Sequence, residues 1–450
     1  MSFRQLLLLA LSSTVLSCSG STTPSGPPRN LLIVTMDSVR ADRFETPEKY
    51  SELPLALAHF QAEALSFRGI SSAPATLPAV ASLFTGRHSR QLGYPAPDRQ
   101  LPIDVATLAE LFEARDYDTA AFVSSHALAT GSGIERGFAT FEAPDGPRTE
   151  DYEVTQAARE WLSTEGREER PWFVWVHLNA GHGPYDALET AFNPLNFFYK
   201  AMIPSPRKLD RKLEKSKSNS GAEGLPNYQR VAGPAISGRY RTFYDARVRV
   251  GDWFANELRH SLKRSEQYDQ TVFAVIGTHG EALGEHGIEF DHGHNLFDEV
   301  LRVPFLVRVP GVSVLTSDRL ASHVDFLPTM ATLFGLEHVS SGVDLLTSSH
   351  ANLAFSELFR PVGSGPAVSV RSAKWSVIQT DGSAPVAFDL LQDPAQQEPL
   401  PAASTAAADA LVEVLGALNT ELPAQAARTE LRSDDRARLR ALGYVLNRFE

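Results

Sequence analysis

The sequence predicts an α/β protein with a mixed, mostly parallel sheet flanked by helices and a small C-terminal α+β subdomain. Continuous apolar runs at residues 31–36 and 172–178 are typical of strands that are buried on both faces, as in a parallel sheet. Helical patterns alternate with such runs from residue 31 to residue 335, which indicates a parallel α/β sheet. Residues 350–400 are expected to form the smaller subdomain, with antiparallel strands.

Size and charge limit the classes of function. The chain has 450 residues, of which 43% are hydrophobic, so it can bury a large core. Its net charge is −12 at pH 7, whereas a general nucleic-acid-binding protein normally carries a basic face. We therefore expect no nucleic acid among its partners. Cys18 is the only cysteine, which excludes an intramolecular disulfide and a metal cluster of cysteines.

Residues 1–18 have the pattern of a bacterial lipoprotein signal peptide. Arg4 gives a short positive region, residues 6–11 are apolar, and the run Val-Leu-Ser-Cys ends at Cys18 like a lipobox. Residues 19–29, rich in Ser, Thr, Gly and Pro, are a predicted flexible tether. The expected protein is exported and held at the membrane of the cell envelope by a lipidated Cys18, on the periplasmic side or at the cell surface. An ordinary cleaved signal peptide with an incidental cysteine is the alternative.

The first predicted strand ends at Asp37. Ligands of open α/β sheets gather at the carboxyl ends of the strands, so Asp37 is a candidate metal ligand. An aspartate after a strand is also a common helix cap, and the local pattern does not separate these two interpretations.

Thr76 lies between two prolines, in a segment that cannot be an ordinary strand or helix interior. Residues 79–84 are compatible with a helix, and Gly86 is a plausible stop. The Thr76 hydroxyl is therefore expected just ahead of a helix N-terminus, where backbone amides favour an anion. The alternative is that Thr76 is only an N-terminal cap.

Histidines follow two further predicted strands. His126 comes after the strand at 119–123, and a satisfied loop histidine is the simpler interpretation there. His182 lies in a Gly/Pro-rich turn after the strand at 172–178, so we expect it to be exposed and to contact substrate.

Residues 271–311 contain many ionisable side chains. A strand at 271–276 is followed by several carboxylates and by four histidines, which are His279, His286, His292 and His294. Packing alone does not explain so many ionisable side chains between two strands. Two other segments are simpler: residues 205–228 predict a mobile surface insertion, and residues 240–262 predict a long helix.

These motifs together resemble the sulfatase family of the alkaline phosphatase superfamily, from about residue 30 to residue 446. The sulfatase signature is Cys-x-Pro-Ser-Arg, an apolar stretch and Thr-Gly-Arg, and it places Thr76 at the nucleophile position. Ala79 and Val80 replace the serine and arginine of that signature. The resemblance implies a sulfatase-like α/β domain over 30–348 and a C-terminal subdomain with a helical tail over 349–450.

The resemblance also implies a metal site and substrate contacts. Asp37 and His279 match metal ligands, whereas Ser38 and Thr278 stand where many sulfatases have aspartates. Glu281 or Asp291 could supply the missing carboxylate beside Asp37. The implied metal ligands are Asp37, Thr76, Thr278 and His279. The implied contacts with the substrate or its leaving group are those of His182, His292, Arg87 and His126.

Thr76 cannot become the formylglycine of sulfatases, because its β-carbon already bears a methyl group. Related members of the superfamily use an unmodified threonine on phosphoryl groups, activated by a divalent metal such as Ca²⁺, Mn²⁺ or Zn²⁺. The leading hypothesis is thus a metal-dependent hydrolase or transferase of sulfate or phosphate esters, more plausibly phosphoesters. The alternatives are a catalytically degenerate lipoprotein that binds an anionic glycan or lipid, its metal weakened or lost, and a sulfatase that works without formylglycine. The expected substrate is a small-molecule, glycan or lipid-headgroup ester.

Overall fold

A computed structural model describes residues 28–441, apart from 51–54, 94–98, 130, 165, 168, 186–210, 218, 232, 315, 348–352, 360–364, 403–404 and 420–432. The predicted signal peptide, Cys18 and residues 19–27 of the predicted tether lie outside these residues.

The main sheet has eight strands in the spatial order β4-β3-β5-β1-β6-β7-β2-β8. The strands are β1 (Asn30–Met36), β2 (Leu65–Ile70), β3 (Asp118–Val123), β4 (Thr140–Glu142), β5 (Trp172–Leu178), β6 (Thr271–Gly277), β7 (Arg302–Arg308) and β8 (Thr316–Ser322). All neighbouring strands pair in parallel except β7, which runs antiparallel to both β6 and β2. This confirms the predicted mixed, mostly parallel sheet.

Helices cover both faces of this sheet. On one face lie α1 (Asp42–Glu45), α2 (Ala58–Gln61), α5 (Asp151–Leu162) and α6 (Ser237–Arg264); on the other lie α3 (Thr76–Thr85), α4 (Leu108–Glu113) and α8 (Phe326–Phe334). The short helix α7 (Asp298–Leu301) precedes β7. The apolar residues of β1 alternate between the two resulting cores, which explains why that strand is apolar throughout. Among the described residues, no helix combines the length and the apolar character needed to cross a membrane.

The C-terminal part forms a separate antiparallel sheet in the order β13-β12-β11-β10-β9. Its strands are β9 (Ala354–Leu358), β10 (Ala367–Arg371), β11 (Trp375–Thr380), β12 (Val386–Asp389) and β13 (Leu400–Pro401), followed by helices α9 (Ala406–Asn419) and α10 (Ser433–Ala441). Strand β9 bonds to the segment before Thr76, because Ser356 Oγ donates to the Ser71 carbonyl at 2.6 Å. The small subdomain therefore supports the segment that carries Thr76.

The described part of the predicted insertion, residues 211–228 apart from 218, packs on the main domain. Leu213 and Leu225 are 2% and 1% exposed and belong to the core on the α6 face. Buried leucines thus anchor the described part of this segment, which its polar composition does not indicate. The mobility of the insertion stays a prediction.

Candidate functional site

The site is built where three strands of the main sheet end. Asp37 follows β1, the Thr278–His279 pair follows β6, and β1 lies between β5 and β6. Met36 is in register with Gly277, and the Thr278 amide donates to the Met36 carbonyl at 3.0 Å. The parallel register therefore places Thr278 directly beside Asp37, as the sequence predicts for strand ends.

The Asp37 carboxylate is the centre of a hydrogen-bonded group, which we call the Asp37 cluster (Asp37, Thr76, Thr278 and His279). Thr278 Oγ1 donates to Asp37 Oδ1 at 2.5 Å, and Thr76 Oγ1 lies 3.2 and 3.0 Å from the two carboxylate oxygens. His279 Nε2 lies 3.2 Å from Asp37 Oδ1 and 3.3 Å from Thr76 Oγ1. All four side chains are buried. The four predicted metal ligands are thus brought together.

Thr76 is the first residue of helix α3, whereas the sequence placed it just ahead of the helix. The capping position is Ala75, whose side chain makes no capping hydrogen bond. The Thr76 hydroxyl contacts Asp37 and His279, so it does not cap the helix. Gly86 ends the helix with a left-handed φ of 63°, which is the predicted stop.

His177 is a member of this neighbourhood that the sequence analysis missed. Trp175 Nε1 donates to Thr35 Oγ1 at 2.8 Å, and Thr35 Oγ1 lies 2.9 Å from His177 Nδ1. The other ring nitrogen of His177, Nε2, lies 3.7 Å from Asp37 Oδ2. A polar residue inside an otherwise apolar buried strand was the available signal.

These imidazoles set the charge of Asp37. Burial alone would raise the pKa of the Asp37 carboxyl, but His177 and His279 hold that pKa well below its ordinary value. Burial opposes the charged form of His279, yet Asp37 raises the pKa of His279 above its ordinary value. The Asp37 cluster therefore favours an ionised carboxylate.

His182 and His292 complete the pocket. The His292 ring lies 4.3 Å from the His279 ring and 5.1 Å from the His182 ring, measured between centroids. His182 is only 3% exposed, which corrects the expectation of an exposed turn histidine. Burial lowers the pKa of His182 and of His292 to about 3, so both rings are neutral near pH 7.

A second group of ionisable side chains adjoins the first; we call Glu281, Asp291 and His292 the Glu281 cluster. Each of the three offers one ligand atom, and these atoms lie within 4.8 Å of one another. His292 Nδ1 is 3.2 Å from Glu281 Oε1. Burial raises the pKa of Glu281 well above its ordinary value. Glu281 and Asp291 bond to His292, His294, Tyr228 and Gly221 rather than to the Asp37 cluster. A role of either in place of the missing carboxylate beside Asp37 stays a prediction.

Two predicted substrate contacts lie elsewhere. Arg87 follows the C-terminal end of α3, and the ten residues of that helix separate it from Thr76 by about 15 Å. His126 Nε2 lies 3.5 Å from Asp435 Oδ1 of helix α10, and no described residue of the pocket contacts it. The distance of Arg87 from Thr76 does not support a contact with a substrate at Thr76, and the contacts of His126 agree with the simpler interpretation of a loop histidine. A substrate-binding role of either residue stays a prediction.

The donors of the Asp37 cluster fit one divalent cation. One carboxylate, one imidazole nitrogen and the hydroxyl of Thr76 converge within 3.3 Å of one another. Thr278 adds a second hydroxyl beside the carboxylate. Oxygen and imidazole donors of this kind suit Mn²⁺, Zn²⁺ or Ca²⁺, although a single formal negative charge gives weak binding.

Known sequences include relatives of this chain. Choline-sulfatase of Rhizobium meliloti is 28% identical over 247 residues, which cover 52% of this chain and 47% of that protein. The ulvan-active sulfatase of Formosa agariphila is 22% identical over 380 residues, 75% of this chain and 70% of that protein. The match thus spans about half the length of the choline-sulfatase and more of the ulvan-active enzyme.

Solved structures show the same fold. The phosphonate monoester hydrolase of Agrobacterium radiobacter superposes with a TM-score of 0.68 at 17% identity, over 88% of this chain and 95% of that one. A protein solved in complex with its substrate D-glucosamine-2-N,6-O-disulfate gives a TM-score of 0.69 at 16% identity, over 88% and 98% of the two chains. The family model for sulfatases matches residues 29–336, which hold every member of the two clusters. The chain belongs to the sulfatase family.

Proposed function

We propose that this protein is a metal-dependent hydrolase of sulfate- or phosphate-type esters that uses Thr76 as its nucleophile, with phosphoesters the preferred class. The observation that carries this proposal is the position of the Thr76 hydroxyl. It begins helix α3, lies 3.0 Å from Asp37 Oδ2 and lies 3.3 Å from His279 Nε2. A nucleophile needs such an acceptor beside it and a site for the anion in front of it.

The residues of the pocket have different roles in the reaction. Asp37 accepts the hydrogen bond of the Thr76 hydroxyl and so orients its oxygen. As that oxygen bonds to phosphorus and the bond to the leaving oxygen breaks, the hydroxyl proton passes to water. Water protonates the leaving oxygen, and a second water hydrolyses the resulting threonine ester. A divalent ion held by the Asp37 cluster would lower the pKa of the Thr76 hydroxyl and stabilise the developing charge. Neutral His182 and His292 contact the substrate through hydrogen bonds, without adding positive charge.

The substrate class follows from the neighbours and from the nucleophile. The structural neighbours include phosphonate monoester hydrolases and a protein that binds a disulfated glucosamine. Threonine gives an ester with phosphorus directly, whereas a sulfatase that uses formylglycine needs an aldehyde that threonine cannot form. We therefore favour a phosphate or phosphonate ester of a small molecule, glycan or lipid headgroup over a sulfate ester.

The test is a substrate panel with matched variants of Thr76. The metal-loaded protein is assayed on an aryl phosphate, a phosphodiester, a phosphonate monoester and an aryl sulfate. Thr76→Val, which keeps the shape and removes the hydroxyl, is expected to lower kcat/KM by about 10³-fold or more. Thr76→Ser, which keeps a hydroxyl, is the control and should retain measurable turnover. Equal rates for wild type and Thr76→Val would reject Thr76 as nucleophile.

A degenerate binding protein is the second candidate, because one carboxylate supports the Asp37 cluster where the family has more. Ser38 and Thr278 supply hydroxyls at those positions. That candidate predicts no turnover of any panel member by the metal-loaded wild type, together with saturable binding of a sulfated or phosphorylated ligand. Turnover that disappears in Thr76→Val excludes it.

For location, we propose an exported lipoprotein held at the cell envelope through Cys18. The support is the lipobox-like run that ends at Cys18 and the polar tether after it. We expect Cys18→Ser to move the protein from the membrane fraction to the soluble envelope fraction. A wild-type protein that is already soluble and carries no acyl chain would contradict the anchor.

A further inference from the structure

We propose that the Glu281 cluster is a second divalent-cation site, selective for Zn²⁺ or Mn²⁺ and separate from the Asp37 cluster. Its ligands are a carboxylate oxygen of Glu281, a carboxylate oxygen of Asp291 and the Nδ1 nitrogen of His292 that faces Glu281. The inference does not depend on the proposed hydrolysis, because ion binding is measured without turnover.

The backbone places these ligands without help from the main sheet. Ala282 and Asp291 form an isolated antiparallel bridge, in which each amide donates to the other residue's carbonyl, at 3.0 and 3.3 Å. This bridge closes residues 281–292 into a loop and brings its two ends side by side. Three potential ligands within 4.8 Å of one another are therefore held by local backbone structure.

Charge and burial favour a cation at this position. Glu281 is fully buried, and its Oε2 atom has no hydrogen-bond partner. Among the described residues, no lysine or arginine forms an ion pair with the carboxylate of Glu281 or of Asp291, and the basic partners of these carboxylates are the imidazoles of His292 and His294. Buried carboxylates without strong cationic partners are costly unless a proton or a metal ion compensates them. An ion can therefore bind the Oε2 atom of Glu281 without displacing a hydrogen bond.

Both carboxylate oxygens of Asp291 accept hydrogen bonds, so an ion that binds Asp291 displaces one of these donors. Its Oδ1 accepts from the Tyr228 hydroxyl at 2.7 Å and from the His292 amide at 3.0 Å. Its Oδ2 accepts from the Gly221 amide at 2.7 Å and is 2.6 Å from His294 Nε2. The Tyr228 hydroxyl is the side-chain donor to Oδ1, so an ion that binds this oxygen takes the place of that hydrogen bond.

The kinds of ligand select the kind of ion. Two carboxylates and one imidazole are a donor set that Zn²⁺ accepts with three protein ligands, and Mn²⁺ accepts similar mixtures. Ca²⁺ prefers six to eight oxygen ligands, which this loop does not offer. Ca²⁺ is therefore the probe that should not occupy the site.

The test counts ions bound by the full chain. Metal is removed with a chelator, the protein is dialysed against Zn²⁺, and bound zinc is measured by mass spectrometry. We expect two Zn²⁺ per wild-type chain and one in Glu281→Gln, which keeps size and removes the charge. Glu285→Gln is the matched control, because Glu285 lies on the same loop but pairs with Arg40 at 2.9 Å, and it should bind two. Excess Ca²⁺ should not displace the ion that Glu281→Gln loses.

Further variants separate this site from the Asp37 cluster. Asp37→Asn should lose the other ion, and Tyr228→Phe, which frees Asp291 Oδ1, should bind zinc at least as tightly as wild type. One ion in wild type that Glu281→Gln loses would support the Glu281 cluster and reject the metal at Asp37. The proposal is overturned if Glu281→Gln binds as many ions as wild type, if wild type binds none, or if Tyr228→Phe binds zinc more weakly.

Discussion

The Asp37 cluster and the Glu281 cluster lie side by side, yet they are assembled in different ways. Members of the Asp37 cluster come from separate elements: the end of β1, the start of α3 and the residues after β6. Glu281, Asp291 and His292 come from one loop that a single bridge closes. The sheet fixes the first group across long sequence distances, whereas local backbone fixes the second.

The two clusters also differ in how their carboxylates are satisfied. The Asp37 carboxylate accepts from two hydroxyls and lies beside two imidazoles, and its pKa is lowered. Glu281 is as deeply buried, but burial raises its pKa, the neighbouring Asp291 raises it further, and one oxygen has no partner. Equal burial is thus accompanied by pKa shifts in opposite directions, because the neighbouring side chains differ.

The largest effect on metal affinity should come from adding a carboxylate to the Asp37 cluster. Thr278 Oγ1 donates to Asp37 Oδ1 at 2.5 Å, so Thr278→Asp places two carboxylates in contact. Without metal we expect a lower Tm, since like charges at one site oppose each other. With metal we expect the affinity for Mn²⁺ or Zn²⁺ to rise by about 100-fold, because the ion gains a second charged ligand. Titration of both ions, with Ca²⁺ alongside, measures this.

The matched control is Thr278→Asn, which has the same shape as the aspartate and no charge. It should show little gain in affinity. Measuring both variants in the Glu281→Gln background confines the titration to the Asp37 cluster. Equal affinities for Thr278→Asp and Thr278→Asn would show that no ion binds beside Asp37. The Asp37 cluster and the Glu281 cluster could then no longer be compared as two metal sites.

The sequence predicted the parts of the site that strand ends determine. Asp37 and His279 follow long apolar strands, and the parallel register leaves little choice about where such residues meet. The surroundings of Arg87 and His126 could not be predicted in this way. The position of Arg87 depends on the length of helix α3 and that of His126 on the path of a loop, and the motifs specify neither.

Other features depend on tertiary packing that composition does not reveal. The segment around Tyr228 is polar enough to resemble a solvated insertion, yet its hydroxyl and the Gly221 amide bond to Asp291. His177 lies inside a strand that the sequence assigned wholly to packing. The antiparallel direction of β7 also requires knowledge of its partners β6 and β2, since its apolar pattern fits either direction.

Asp252, a buried carboxylate outside both clusters, extends the comparison of how burial changes a carboxyl pKa. Asp252 on helix α6 is 2% exposed, and it accepts from the amides of Ala56 at 2.6 Å and Leu57 at 3.0 Å. Burial raises the pKa of Asp252 to about 7, although these amides oppose the rise. Asp252 therefore shows what burial does when no imidazole is in contact.

The smallest predicted effect is a change in how stability depends on pH. Because the pKa of Asp252 is higher in the folded than in the unfolded state, its contribution to the free energy of unfolding is present at low pH. That contribution is lost as the pH rises through about 7. From pH 6 to pH 8, wild type should lose about 1 kcal/mol more than Asp252→Asn, which has no proton to release. Urea unfolding at both pH values measures this difference, and the histidines that both proteins share cancel. A difference that stays constant with pH would mean that burial does not raise the pKa of Asp252, and Asp252 could then no longer serve as the reference for the low pKa of Asp37.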